Sequence, residues 1–429
     1  MSNFTTFKTL TLGCKVNSCE SAAIEKSFLE NGFTKADGEW ADIYIINSCS
    51  VTGTAVAKAR RAASRFRREN PEGIIVLCGC YPQSYPEEAG LKFDADIIAG
   101  NADKDKIVDL VRGFIENRFK TVKINPLSRE FCRSCSVPDE DRTRAFIKIE
   151  DGCDRFCSYC IIPTARGRVR SLPCNIIKEQ AAQCVKDGHK EIVLTGINLG
   201  CYGQDLGLSL YDAVKAVSES GVPRIRLSSL EPEMMTDELI ERLGEIPALC
   251  PHFHLSLQSG SDEILKKMNR KYSSEQYSHI AAKFREVFPE CAVTTDIIVG
   301  FPYESDEDFQ KSVDFAKEIG FAKIHVFPYS LRKGTIAAEM PQVPPFVRTE
   351  RARFLMNAAE SLEEDFLRSM RGKSGVVLIE KPQSEQYSQG FTENYTPVRI
   401  FGKQIPRHSL VKVTITGAKK GYCVGVVTE

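Results

Sequence analysis

The chain reads as an α/β protein in three consecutive parts. These are an N-terminal parallel-sheet α/β domain, a central partial (β/α)6 barrel of TIM type, and a small antiparallel β-barrel of OB-like shape. Three observations predict this. Residues 1–120 alternate short apolar runs with stretches of helical period. Residues 145–370 repeat strand then helix six times, the pattern of a parallel barrel. Residues 371–429 carry short β-rich runs between Gly, Pro and polar turns, without a helical pattern. Residues 121–144, polar and broken by Pro126 and Pro138, read as a linker. At 429 residues one compact core is not expected.

In the first part KTLTL, IYIIN and IIVLC read as buried parallel strands, with helices at 18–31, 54–69 and 103–116. Cys14 follows the first strand in LGCKVN, Cys49 the second in INSCSVT, and Cys80 ends the third in LCGCYPQ. Groups just beyond the carboxyl ends of parallel strands share one edge of the sheet, where ligands bind. Three cysteines distant in sequence are thus expected to converge as a three-thiolate metal site. Cys19, inside a helix, and Cys78, inside a strand, read as packing residues. The linker's Cys132-x2-Cys135 lacks a second pair and reads as surface thiols or a weak redox pair.

The barrel strands are AFIKIE, EIVLTG, RIRLSS, HFHLSLQ, AVTTDIIVG and AKIHVFPYS. Helices are expected near 175–187, 208–219, 236–244, 261–269, 274–287, 305–319 and 347–370. After the first strand comes Cys153-x3-Cys157-x2-Cys160. Three thiolates hold three irons of a cubane cluster that normally takes four cysteines, leaving one iron open to a ligand. A structural zinc knuckle would want a fourth Cys or His close by, and the next is Cys174, beyond a basic stretch. Lys148 and Glu150, Arg224, Arg226 and Ser228, and His252, His254, Ser256 and Gln258 alternate with apolar residues. Their polar faces are expected to line a wet, charged lumen. There His252 and His254 are expected to serve lumen hydrogen bonding, with metal ligation as the alternative. Arg166, Arg168 and Arg170 await a carboxylate or a phosphate.

Lys plus Arg equals Asp plus Glu, 57 of each, so only local segregation speaks about partners. Residues 58–68 and 399–420 each hold six Lys or Arg and no acid, which favours a phosphate-bearing partner. There is no apolar stretch of membrane-spanning length and no secretory leader pattern, so no membrane partner is expected. Sixteen cysteines then suggest a reducing, cytoplasmic setting and metal ligation.

Together these pieces resemble the methylthiotransferase family of radical S-adenosylmethionine (SAM) enzymes over essentially the whole chain. DGCDRFCSYCIIPTARGRVRS matches its signature, and the C-terminal part resembles its RNA-binding TRAM barrel. LGCKVN, INSCSVT, GCYPQ, RTRAFIKIEDGCD and FTENY look most like the MtaB branch, which acts on tRNA carrying N6-threonylcarbamoyladenosine at position 37. The branches modifying isopentenyladenosine or a ribosomal-protein aspartate are the alternatives, and a non-catalytic iron–sulfur RNA sensor is a third. The resemblance implies two [4Fe-4S] clusters, one on Cys14, Cys49 and Cys80, the other on Cys153, Cys157 and Cys160. It implies reductive cleavage of SAM, insertion of sulfur at C2 of adenine, and a second SAM as methyl donor. It implies SAM contacts from Tyr159, Gly196, Asn198, Ser229, Glu231, Gln258 and Ile298. The implied partners are the tRNA anticodon loop, an external electron donor and a sulfur source, with no DNA.

Overall fold

The computed structural model describes residues 4–38, 40–132, 142–384 and 386–428; Cys135 lies outside them. The first part forms a six-stranded sheet, parallel throughout, in the order Thr34–Lys35, Thr6–Thr11, Ile43–Ser48, Ile74–Gly79, Ile97–Ala99, Thr121–Lys123. Ile43–Ser48 and Ile74–Gly79 are buried at every residue, because helices cover both faces. Phe7, Phe28, Ile45, Val76 and Val111 pack on one face, and Tyr44, Ile46, Phe66 and Leu77 on the other. The helices Lys15–Glu30, Gly53–Glu69 and Ile107–Asn117 lie where the apolar period places them. The two- and three-residue strands are too short to carry a period. One of them, Thr121–Lys123, falls inside the stretch read as linker.

The central part has six parallel strands: Ala145–Lys148, Glu191–Thr195, Arg224–Leu227 continuing as Ser229–Leu230, His252–Leu255, Ala292–Val299 and Lys323–Pro328. They hydrogen-bond as a three-stranded and a four-stranded sheet. The ladder changes hands at Ser228, where Leu227 pairs with Leu194 and Ser229 with His254. The first and last strands are edges, so the barrel is open. Helix Lys15–Glu30 of the first part lies against the first edge, with Cys19 Sγ 3.9 Å from the Phe146 carbonyl oxygen. Cys19 and Cys78 are both buried, as packing residues should be.

The C-terminal part is a closed five-stranded barrel of Ser374–Ser384, Tyr387–Phe391, Pro397–Phe401, Tyr422–Val427 and Leu410–Lys419, in that order around it. Two details correct the expectation. Tyr387–Phe391 is a fifth strand whose YSQGF sequence is too polar to announce itself. Pro397–Phe401 and Tyr422–Val427 run parallel, so the barrel is not wholly antiparallel. Leu367 and Met370, at the end of the long helix Pro345–Ser369, complete its core.

This small barrel is docked on the large one through FTENY, residues 391–395. Arg224 donates to the Phe391 carbonyl at 3.2 Å and Arg226 to that of Glu393 at 2.9 Å. Arg144 and Arg226 stack on the Tyr395 ring at 4.9 and 4.6 Å. Fully buried Glu191 holds the group together, 2.7 Å from Arg226, 3.0 Å from Arg144 and 3.7 Å from Arg224. The expected charged lumen is therefore partly corrected. Arg224 and Arg226 point inward, but an interdomain joint takes them up. Among the described residues no helix is long and apolar enough to cross a membrane.

Candidate active site

Cys14, Cys49 and Cys80 come together at the carboxyl edge of the first sheet. Asn17 Oδ1 lies 3.8 Å from Cys14 Sγ and 3.9 Å from Cys80 Sγ, so the two sulfurs flank one atom. Cys49 lies against the turn before Cys14: a Cβ on Gly13 would stand 2.8 Å from Cys49 Cβ and 3.1 Å from its sulfur. Gly13 has φ +110° and Gly79 φ +103°, and a Cβ on Gly79 would stand 2.6 Å from the Ser48 carbonyl oxygen. Only glycine tolerates both the torsion and the approach. Burial pushes the Cys49 thiol up to about 11, the Cys80 and Cys14 thiols adding to it. A cation would reverse this shift, since a coordinated thiol is deprotonated.

Cys153, Cys157 and Cys160 lie on the loop after the first barrel strand. Cys153 N–H donates to the Gly167 carbonyl at 2.9 Å and Cys160 N–H to that of Cys157 at 3.0 Å. Phe156 takes φ +49° inside the loop. Ser158 ties the loop to the barrel, donating through N–H to the Met268 carbonyl at 3.0 Å and through Oγ to that of Lys267 at 2.7 Å. Burial pushes the Cys160 thiol up to about 12, and raises Cys153 and Cys157. Arg270 donates to Cys157 Sγ at 3.3 Å and pairs with Glu231.

Neither triad has single-ion spacing. Among the described residues, His254, Asp296 and His325 alone bring three such ligand atoms within 4.8 Å of one another. Tetrahedral zinc with about 2.3 Å bonds to sulfur would gather its thiolates more tightly than that. His254 itself is used as expected, with Nδ1 3.0 Å from Thr294 Oγ1 and Nε2 3.3 Å from Asp296.

The other expected contacts ring the strand ends. Tyr159 and Ile298 pack on one apolar group with Phe301 and Tyr329, the Tyr159 and Phe301 rings meeting edge to face at 6.2 Å. Gln258 takes φ +67° and bridges to the fifth strand, its N–H 2.9 Å from the Asp296 carbonyl. Glu150 Oε2 accepts from the Asn198 N–H at 2.7 Å, and a Cβ on Gly196 would stand 2.6 Å from that oxygen. Glu150 Oε1 and both polar atoms of the Asn198 side chain are buried without a partner. Unsatisfied groups at these strand ends suit a polar cofactor such as SAM. Burial raises the Glu150 carboxyl well above its usual range.

Sequence reasoning missed the joint between the triads. Arg166, 1% exposed, donates to Glu20 at 2.8 and 3.1 Å, to Asp151 at 2.9 Å and to Asn17 Oδ1 at 2.7 Å. Lys148 donates to Glu20 at 2.8 Å and Asp151 at 2.7 Å, Lys104 pairs with Glu20, and Arg170 lies 3.3 Å from Asp151. Of the three arginines expected to meet a carboxylate or a phosphate, Arg166 and Arg170 meet carboxylates. Arg168 is exposed beside Asp154. Lys148, expected in the lumen, instead faces the N-terminal helix. Asn17 touches Cys14, Cys80 and Arg166, and Arg166 directly precedes Gly167, whose carbonyl accepts from Cys153 N–H, so the network ties the first cysteine group to the loop of the second.

A cavity of about 770 Å³ lies between the parts. Gly13, Cys14 and Lys15 form one wall. Thr195, Gly196, Ser228, Ser229, His252 and His254 form the barrel side, and Phe391, Asn394 and Tyr395 the floor. Cys14, one of the first triad, thus borders the space that the barrel strand ends enclose.

Residues 147–316 match the Radical SAM superfamily, and residues 6–100 match Uncharacterized protein family UPF0004. The chain is 40% identical over 425 residues to a threonylcarbamoyladenosine tRNA methylthiotransferase MtaB of Bacillus subtilis (strain 168), covering 96% of this chain and 93% of the relative. It is 38% identical to a protein of the same name from Thermotoga maritima, covering 94% and 93%. A tRNA-2-methylthio-N(6)-dimethylallyladenosine synthase of Pelotomaculum thermopropionicum is 33% identical, covering 98% and 97%. In fold the chain is similar to the radical S-adenosylmethionine methyltransferase TsrM of Kitasatospora setae, with a TM-score of 0.57 at 13% identity over 78% of this chain and 75% of that one. Two cysteine triads, an open barrel and near-full-length likeness to these enzymes lead to one conclusion: the chain belongs to the radical SAM methylthiotransferase family.

Proposed function

We propose that this chain is a cytoplasmic tRNA methylthiotransferase that places a methylthio group on C2 of N6-threonylcarbamoyladenosine 37 in the anticodon loop. The cofactors are two [4Fe-4S] clusters and SAM. In this reading Cys14, Cys49 and Cys80 hold one cluster, and Cys153, Cys157 and Cys160 the other. Bound there, the groups supply the radical chemistry at C2–H and the sulfur, with electrons and sulfur drawn from outside the protein. The protein's own part is to orient and enclose. Asn198, Glu231, Ser229 and the Gly196 backbone fix the polar end of SAM, while Tyr159, Gln258 and Ile298 bound its adenine side. Residues 1–120, 145–370 and 371–429 act as sulfur-carrying, SAM-cleaving and RNA-binding units joined at 121–144. The observation that carries the reading is the position of Cys14 on the wall of a cavity shared with the barrel strand ends. An unpaired base flipped from the anticodon loop fits such a space.

Mass spectrometry of tRNA nucleosides from a strain lacking the gene tests it. Threonylcarbamoyladenosine without its methylthio group is expected to accumulate. An unchanged nucleoside profile would contradict the reading.

The RNA backbone needs cations, and the two basic runs differ in what they offer. In the C-terminal run Arg399 stacks on Tyr387 and Tyr422 at 4.6 and 3.9 Å, and Lys420 pairs with Glu360 at 2.9 Å. In the first run Arg60, Arg61, Arg65 and Arg68 share a concavity with Lys92 and Lys120. Among the described residues Arg60, Arg61 and Arg68 have no acidic partner. Replacing these three by Gln is expected to raise the KM for tRNA. It should also flatten the plot of log affinity against log salt by about 2, given roughly 0.7–0.9 per phosphate contact. An unchanged slope would place the RNA elsewhere.

A further inference from the structure

Lys15 has no role in the arrangement above. It directly follows Cys14, begins helix Lys15–Glu30 and lines the cavity. Among the described residues its ammonium makes no hydrogen bond or salt bridge. Of the other charged residues lining the cavity, Lys323 lies 3.3 Å from Glu363, and Asp296 lies 3.3 Å from His254 Nε2. Two more polar atoms of lining residues lack partners, Ser228 Oγ and His252 Nδ1. Their residues are only 5% and 9% exposed. Buried polar atoms are normally satisfied, so such a pair calls for a ligand. Arg144, Arg224 and Arg226 stand nearby, but they are paired with Glu191, Glu380 and Glu393, which leaves Lys15 as the cation to be matched. An unmatched cation sharing one cavity with two unsatisfied polar atoms selects an anion.

We infer that Lys15, with Ser228 and His252, binds the carboxylate of the substituent on N6 of the target adenine. This rests on the substrate reading proposed above and deepens it. A threonylcarbamoyl group ends in a carboxylate, whereas a dimethylallyl group is an uncharged hydrocarbon. Lys15 therefore sets substrate choice, and its place next to Cys14 fixes the adenine close to the sulfur-carrying centre. A nucleotide phosphate has similar chemistry, and the test separates the two sources.

Two anticodon stem-loop RNAs are compared, one with threonylcarbamoyladenosine and one whose threonyl carboxylate is a primary carboxamide. Both have the same phosphates. The reconstituted wild type is expected to show a KM roughly tenfold lower for the carboxylate RNA. Lys15→Gln should raise that KM by the same factor and leave the carboxamide KM little changed, while Lys15→Arg restores the preference. Iron content and cluster spectra equal to wild type separate this from damage at Cys14. If Lys15→Gln loses iron, Ser228→Ala and Lys15→Arg carry the comparison, Ser228→Ala narrowing the preference and Lys15→Arg keeping it. Equal losses on both RNAs, the signature of a phosphate contact, would overturn the assignment, as would no loss on either. A wild type that modifies neither RNA would overturn the substrate reading and this assignment with it.

Discussion

Cys14→Ala is expected to abolish methylthio transfer while leaving reductive cleavage of SAM intact, and Cys157→Ala is expected to abolish both. The asymmetry follows from how each triad is supported. The Cys153–Cys160 loop is held by Gly167, Lys267, Met268 and Arg270, all within the barrel. Removing Cys14 disturbs none of these contacts. Cys14, in turn, is positioned by Gly13 and Asn17 at the sheet edge, and its loss leaves two thiolates where a cluster needs three. Deoxyadenosine and methylthiolated nucleoside are quantified anaerobically with dithionite as reductant. Methylthio transfer persisting in Cys14→Ala would remove that residue from the chemistry.

Arg166→Met should destabilise the protein by about 3 kcal/mol, the low end for breaking a buried ion pair, because Lys104 and Lys148 still face Glu20. Urea unfolding at pH 7 measures it, and a change within about 0.5 kcal/mol, as for a typical surface site, would refute the joint. The loss also has a direction with pH. Burial works to raise the Glu20 carboxyl, but Arg166, Lys104 and Lys148 outweigh it and hold the group well below its usual range. Its contribution is therefore complete above the unfolded value of about 4.3, and falls away as pH drops towards the folded one. The gap between wild type and Arg166→Met should accordingly narrow below about pH 4. Loosening this joint should also lower the methylthio product formed per SAM cleaved, since Asn17 couples Arg166 to Cys14 and Cys80.

Local features carried most of the fold into view. Strand exits placed Cys14, Cys49 and Cys80, and the close spacing of Cys153, Cys157 and Cys160 needed no folding to interpret. The barrel helices were legible from their apolar period, and in the structure Ser209, Ser273 and Ser305 start three of them with capping boxes to Asp212, Gln276 and Asp308. What stayed hidden depends on long-range pairing of charges. Glu20 and Arg166 are 146 positions apart, and each alone looks like a surface residue. Arg270, which joins Glu231 to Cys157, gave no local signal either. Alternation showed that Lys148, Arg224 and Arg226 point away from the helices, but not that neighbouring domains would occupy that side.

The central claim is that the chain holds two clusters, each on three cysteines, with Cys14 of one of them at the wall of the substrate cavity. Anaerobic iron and sulfide analysis of the reconstituted wild type, Cys14→Ala and Cys157→Ala tests it most directly. About eight irons per chain are expected in the wild type and about four in each variant, one four-iron group lost at a time. Four irons in the wild type, or a Cys14→Ala protein that keeps all eight, would contradict it.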